Sequence, residues 1–121
     1  MFIGGGFISF ELGHIAACAG ADVTILHRSG QVLKEFDPFL VGLLIQVLRR
    51  AGIEVLTDMP VRAIEQSSDQ LLVRAGPVGD GMFEADMVVH GAGRLPNTAG
   101  LDLERGGISS GKFGIDINSY M

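Results

Sequence analysis

Gly4, Gly6 and Ser9 stand in the spacing Gly-x-Gly-x-x-Ser, between the apolar pair Phe2-Ile3 and an apolar series of helical period. A turn of this kind can hold a diphosphate on bare backbone N–H groups. Gly4 permits the tight turn, Gly6 lets phosphates approach the main chain, and the third position needs a small residue where helix closes on sheet. Ser9 is small enough, though larger than glycine. The unpaired N–H groups and the dipole of the helix start both favour an anion there. The next apolar run ends in His27-Arg28, where a dinucleotide site for a 2′-hydroxyl ribose carries Asp or Glu. No acid lies between Asp22 and Glu35. A carboxylate repels a 2′-phosphate, whereas arginine grips it in bidentate fashion. Lys34, six residues on, is read as a second cation; the alternative for both Arg28 and Lys34 is solvated surface charge. Two charge-assisted hydrogen bonds at about 1.5–3 kcal/mol each give about 3–6 kcal/mol gross, roughly two to four decades of preference for NADPH. His27 is read either as stacking on an adenine or as simply ending the strand.

The surrounding elements must place these groups. Phe2-Ile3 reads as the stub of a buried strand. Ile8, Leu12, Ile15, Ala16 and Ala19 then follow a helical period, and Gly20 is placed to stop it. The run Val23-Thr24-Ile25-Leu26 is a short buried strand. Asp37-Pro38 starts a second helix with a capping Asp and a first-turn Pro. Its stripe is Leu40, Leu43, Leu44, Val47, Leu48 and Ala51, and Gly52 ends it. A third strand follows at 53–56. Strand, helix, strand, helix, strand implies a parallel sheet with right-handed crossovers. Runs at 61–65, 71–74 and 82–85, separated by polar turns, predict an antiparallel meander. Met87-Val88-Val89 returns to the parallel sheet, and a weak strand is expected at 114–117. The fold class expected is therefore α/β: a Rossmann-like three-layer domain, with helices on one face of a parallel sheet and a three-stranded meander on the other.

The chain has 121 residues, 47% of them apolar, which suits one domain over residues 1–121. A net charge of -5 disfavours nucleic acid as a partner. No apolar run is long enough for a membrane span, and no basic region precedes an apolar one as in a signal peptide. One cysteine excludes an internal disulfide framework and fits a reducing, cytoplasmic compartment. Cys18 is expected as a small buried thiol, near core-facing Ile15 and Ala19. His14, His27 and His90 share no ligand spacing, so no metal site is expected. Ser9 and Ser67-Ser68 lack a nucleophile elbow or a placed base. Arg49-Arg50 suits a helix C-terminus.

The segment GGGFISFE at residues 4–11 resembles the GGGYIGLE segment of the NAD(P)H domain of flavoprotein disulfide reductases. That family includes glutathione reductase, dihydrolipoamide dehydrogenase and mercuric reductase. GAGRLPNT at residues 91–98 resembles the family's GRxPNT signature, and the order of intervening elements is similar. The resemblance implies that Gly4, Gly5 and Gly6 line the pyrophosphate. Phe7 takes the place of an aromatic covering the nicotinamide pocket, Ile8 flanks the cofactor, and Glu11 lies near the nicotinamide, facing the flavin. Arg28 and Lys34 match the two basic positions for a 2′-phosphate, Val61 an apolar residue beside the adenine, and Gly93 a close backbone pass. Ser9 departs from the usual Gly or Ala. The resemblance further implies a parent that binds FAD through another domain, the region where the family's disulfide reductases carry a CxxxxC redox pair, and that pairs as a homodimer through a third domain. The chain is then expected to be an excised pyridine-nucleotide domain that binds NADPH and shows no turnover alone. Three other readings stand beside it: an NADH domain from a related flavin oxidase or dihydrolipoamide dehydrogenase, a non-catalytic module with an empty pocket, and a methyltransferase, against which GRLPNT speaks.

Overall fold

The structure, a computed structural model, describes residues 1–79 and 81–120. Its elements are β1 (Phe2–Ile3), α1 (Phe7–Cys18), β2 (Val23–Leu26), α2 (Pro38–Arg50), β3 (Ile53–Leu56), β4 (Val61–Ser67), β5 (Gln70–Ala75), β6 (Gly81–Ala85), β7 (Val89–His90), β8 (Ser110–Gly111) and β9 (Gly114–Ile115). A four-stranded sheet has the order β3-β2-β1-β7, and all its pairings are parallel. The antiparallel meander β4-β5-β6 forms a second sheet, and β8-β9 a short hairpin.

Alternation along the strands explains the layering. Val23 and Ile25 of β2, Ile53 and Val55 of β3, and Phe2 share a cluster with Phe10 of α1 and with Val41 and Leu48 of α2. Leu26 points to the opposite face and packs with Val73 and Ala75 of the meander, flanked by Leu56, Val61 and Phe83. Both faces of the parallel sheet are covered, as such sheets require. The three-layer α/β arrangement is the one expected.

The local signals act where they stand. The Asp37 carboxylate accepts from the N–H of Phe39 at 2.9 Å and of Leu40 at 3.1 Å, with Pro38 in the first turn of α2. Arg49 and Arg50 occupy the last turn, and Gly52 leaves the helix at φ +81°.

The helix faces differ from expectation. In α1 the buried residues are Ser9, Phe10 and Gly13, while Leu12 is 47% and Ile15 63% exposed. α1 meets the sheet through Ser9 and Gly13, which permit close approach, together with Phe10, and its larger aliphatics stand outward. In α2 the inward row is Val41, Ile45 and Leu48, and Leu40, Leu43, Leu44 and Val47 are exposed. Both helices carry more apolar residues than one face can bury. Cys18 is exposed rather than buried, its Sγ 3.7 Å from His14 Nε2. The expected strand at 114–117 shrinks to β9, because only Ser110–Gly111 is present to pair with it.

Among the described residues no helix is long and apolar enough to cross a membrane. No grouping of three or more His, Cys, Asp or Glu able to hold a metal ion occurs among them.

Candidate functional site

Parallel registers decide what meets at the carboxyl ends of the strands. Phe2 lies opposite Ile25 on one side and Val89 on the other, so β1 is the point where the strand order reverses. Ligands of open α/β sheets bind in the crevice at such a point. The pairing Ile3–His90 brings the turn after β1 beside Gly91–Gly93, and Leu26–Leu56 brings the loop after β2 beside the turn after β3. A cavity of about 780 Å³ opens between them. Gly4, Gly5, Gly6, Phe7, Ile8, His27, Arg28, Lys34, Val61 and Gly93 all line it. Ser9 and Glu11 do not. Ser9 is fully buried, with its Oγ directly against Gly91. Glu11 lines a smaller adjoining cavity of about 230 Å³ with Phe7, Phe10, Leu33, Phe36 and Leu40.

The three glycines divide their work. Gly4 adopts φ +108°, its N–H donates to Leu26 O at 2.8 Å, and a Cβ there would collide with the backbone of Gly91 and Ala92. Gly5 is engaged on both sides: its N–H donates to His27 Nδ1 at 2.9 Å, and its carbonyl accepts from Leu33 N–H at 2.9 Å. Gly6 is the N-cap of α1 and supplies no side-chain cap. Its own N–H and those of Phe7 and Ile8 have no protein acceptor among the described residues. A Cβ on Gly6 would have only Gly91 O near it, at 4.0 Å. The bare amides are therefore those of Gly6, Phe7 and Ile8. Gly4 and Gly5 line the cavity but spend their N–H groups on the fold.

The loop after β2 carries the cations. Arg28 and Lys34 are exposed and line the cavity, and so does Glu35. The Asp58 carboxylate comes in from the turn after β3, 3.3 Å from where a Cβ on Gly30 would sit. His27 is half-buried, and its Nε2 lies 3.0 Å from Ser29 Oγ. Since Nδ1 accepts from Gly5, the network assigns a neutral ring with its proton on Nε2. Burial is the main cause holding the His27 pKa below its ordinary value. A backbone hydrogen bond at Gln31 raises it, Lys34 and Arg28 lower it, and Asp58 raises it. Leu33, buried next to Lys34, sits at φ +48°. An aliphatic residue in that region costs about 1–3 kcal/mol and persists only where the surroundings fix it.

Other lining residues were not singled out in the sequence: Gln31, Phe36, Met59 and Ile64; His90, considered there only as a metal ligand, lines the cavity as well. Strand register was the signal available for Met59 and Asp58, since parallel neighbours end side by side. Arg94 also lines the cavity, from within the GRLPNT stretch.

The site offers free amides at a helix start, three cations in Arg28, Lys34 and Arg94, and apolar walls from Ile3, Val61 and Ile64. These fit a diphosphate-bearing dinucleotide better than a metal or a covalent intermediate. Residues 1–121 match the model of the pyridine nucleotide-disulphide oxidoreductases. The chain is 32% identical over 121 residues to mercuric reductase of Staphylococcus aureus, covering 98% of this chain and 22% of that one. It is 42% identical over 102 residues to glutathione reductase of Burkholderia cepacia, covering 84% and 22% respectively. The HOCl-induced flavoprotein disulfide reductase of Escherichia coli, solved as its Cu(II) complex, superposes with a TM-score of 0.87 at 26% identity, covering 97% of this chain and 27% of that one. An engineered water-forming NADPH oxidase bound to NADPH gives 0.84 at 27% identity, covering 99% and 26%. The chain thus spans between 22% and 27% of the length of these proteins. Fold, motifs and these matches agree, and the chain belongs to the pyridine nucleotide-disulphide oxidoreductase family.

Proposed function

We propose that this chain is the NADPH-binding domain of a larger flavin-dependent oxidoreductase. The observation that carries this is the placement of free amides and basic side chains in one cavity: Gly6, Phe7 and Ile8 at the start of α1, Arg28 and Lys34 on the loop after β2. The first group fits the diphosphate and the second a 2′-phosphate. Spacing in the engineered NADPH oxidase supports the reading. Its altered positions carry Ala, Ala, Arg, Ser and Arg, the last four lying 18, 19, 20 and 25 places after the first. Counted from Ser9, the same spacings fall on His27, Arg28, Ser29 and Lys34. The engineered chain exchanged an aspartate for alanine and gained two arginines. Here no acid stands at that place, and both cations are present.

When bound, the nicotinamide supplies a hydride to FAD held by another domain of the parent. The residues of this chain bind and orient. The amides of Gly6, Phe7 and Ile8 fix the diphosphate, and the N-terminal end of α1 adds its dipole. Val61 packs beside the adenine. Phe7 and Ile8 wall the nicotinamide end, Gly93 allows a close backbone approach, and Glu11 sits on the outer side toward the flavin. Ser9 serves beneath the site, keeping α1 close to β7. In this reading the parent also holds a dimerisation domain, works as a homodimer in the cytoplasm, and the isolated chain binds cofactor without turnover.

A second reading, NADH, is favoured by the two carboxylates near the cations, Glu35 and Asp58. Titrating the chain with each cofactor by calorimetry separates the two. NADPH is expected to bind at least tenfold more tightly than NADH. Equal or tighter NADH binding overturns the assignment, and silence toward both at millimolar concentration points to a module whose pocket holds no cofactor.

A further inference from the structure

We propose that His27 is a positioning residue: its neutral imidazole pins the glycine turn to the basic loop and so sets where Arg28 and Lys34 stand. This rests on the NADPH reading of the cavity. Gly5 is held from both ends of the loop, by His27 Nδ1 at its N–H and by Leu33 N–H at its carbonyl, each at 2.9 Å. His27 directly precedes Arg28, and Leu33 directly precedes Lys34. Each cation therefore follows a residue fastened to Gly5, His27 at the Gly5 N–H and Leu33 at the Gly5 carbonyl. The His27 backbone is itself fixed, donating to Leu56 O at 2.8 Å and accepting from Met59 N–H at 2.8 Å. Its ring lies flush with the turn, because a Cβ on Gly5 would come within 2.8 Å of His27 Cγ.

The pin works only while Nδ1 is an acceptor. A proton there would face the Gly5 N–H donor to donor, and the bond would be lost. The charged groups facing the ring are Arg28 and Lys34 from its own loop and Asp58 from the turn after β3. The opposite possibility is that the ring becomes a third cation for the 2′-phosphate, in which case protonation strengthens binding.

The experiment compares the wild-type chain with His27→Asn, whose Oδ1 can accept from Gly5, and His27→Ala, which cannot. Without cofactor, ¹⁵N NMR at pH 8 is expected to show coupling across the Gly5 N–H to His27 Nδ1 bond, and faster Gly5 amide exchange once His27 is titrated. With cofactor at pH 8, His27→Asn should keep the NADPH-over-NADH preference within about threefold. His27→Ala should lose tenfold or more. Between pH 8 and 6 the wild-type preference should fall more than that of His27→Asn, which reports the titration of the 2′-phosphate alone, near pKa 6. Equal losses in both variants, with wild-type preference rising as pH falls, overturn the proposal and make the ring a ligand. A preference indifferent to residue 27, or a Gly5 amide insensitive to His27 protonation, overturns it too. Failure of NADPH and NADH alike to bind, with the Gly5–His27 coupling intact, instead removes the cofactor reading on which the clamp depends.

Discussion

The glycine turn and the basic loop line one cavity and are fastened together at Gly5, and they are built by opposite means. The turn is almost pure backbone. Gly4 and Gly5 are buried, their amides are committed to neighbouring strands and loop, and Gly4 takes a conformation closed to other residues. The loop acts through side chains: Arg28 and Lys34 are exposed and reach the cavity from a segment held by its neighbours. The difference teaches that the turn provides shape and the loop provides charge. Shape made by a main chain tolerates little change, whereas charge on flexible side chains adjusts one residue at a time.

The sharpest way to break the comparison is Gly4→Ala. A φ of +108° and a collision with the β7 turn should cost about 3 kcal/mol or more, lowering the melting temperature by roughly 10 °C or more. Melting like the wild type would show that the turn has slack. Arg28→Ala should leave the melting temperature unchanged and weaken NADPH roughly tenfold, about 1.4 kcal/mol, with NADH unaffected. Equal weakening of NADH would remove Arg28 from the 2′-phosphate. Ser9→Ala is expected to stabilise by up to about 1 kcal/mol, because its Oγ is buried and has no partner. The denaturant midpoint checks it, and cofactor affinity should not move. The last effect is a slope rather than a step. His27 has a folded-state pKa below its free value, so its contribution is complete above about pH 6.5 and is lost as pH falls through the folded pKa. Wild-type stability should therefore drop below pH 6.5 more steeply than that of His27→Asn, as read by thermal melts across pH.

Much of this was legible in the residues because the signals were local. Asp37-Pro38 caps its own helix, Gly52 ends it, and the alternation of short apolar runs with helical stretches and turns marks which strands are parallel and which form the meander. The glycine spacing, too, located the free amides to within two residues. Helix rotation was not legible. α1 is apolar nearly all round, and the deciding fact is that Ser9 and Gly13 are small enough to touch the sheet, which outranks the larger Leu12 and Ile15. The engagement of Gly5 by His27 depends on a ring orientation that no spacing encodes. Asp58 reaches Gly30 only because β2 and β3 run parallel and in register, so two distant segments end together.

The outward rows of α1 and α2 bear on handling the protein in solution. Ile15, Leu40 and Val47 are each more than half exposed, beside Leu12 and Leu43. Apolar exposure of that extent is far from the scattered single residues of ordinary monomers. A net charge of -5 offers only modest colloidal repulsion against it. Purified by itself, the chain should scatter light increasingly with concentration, and should brighten a polarity-sensitive dye such as ANS while still fully folded.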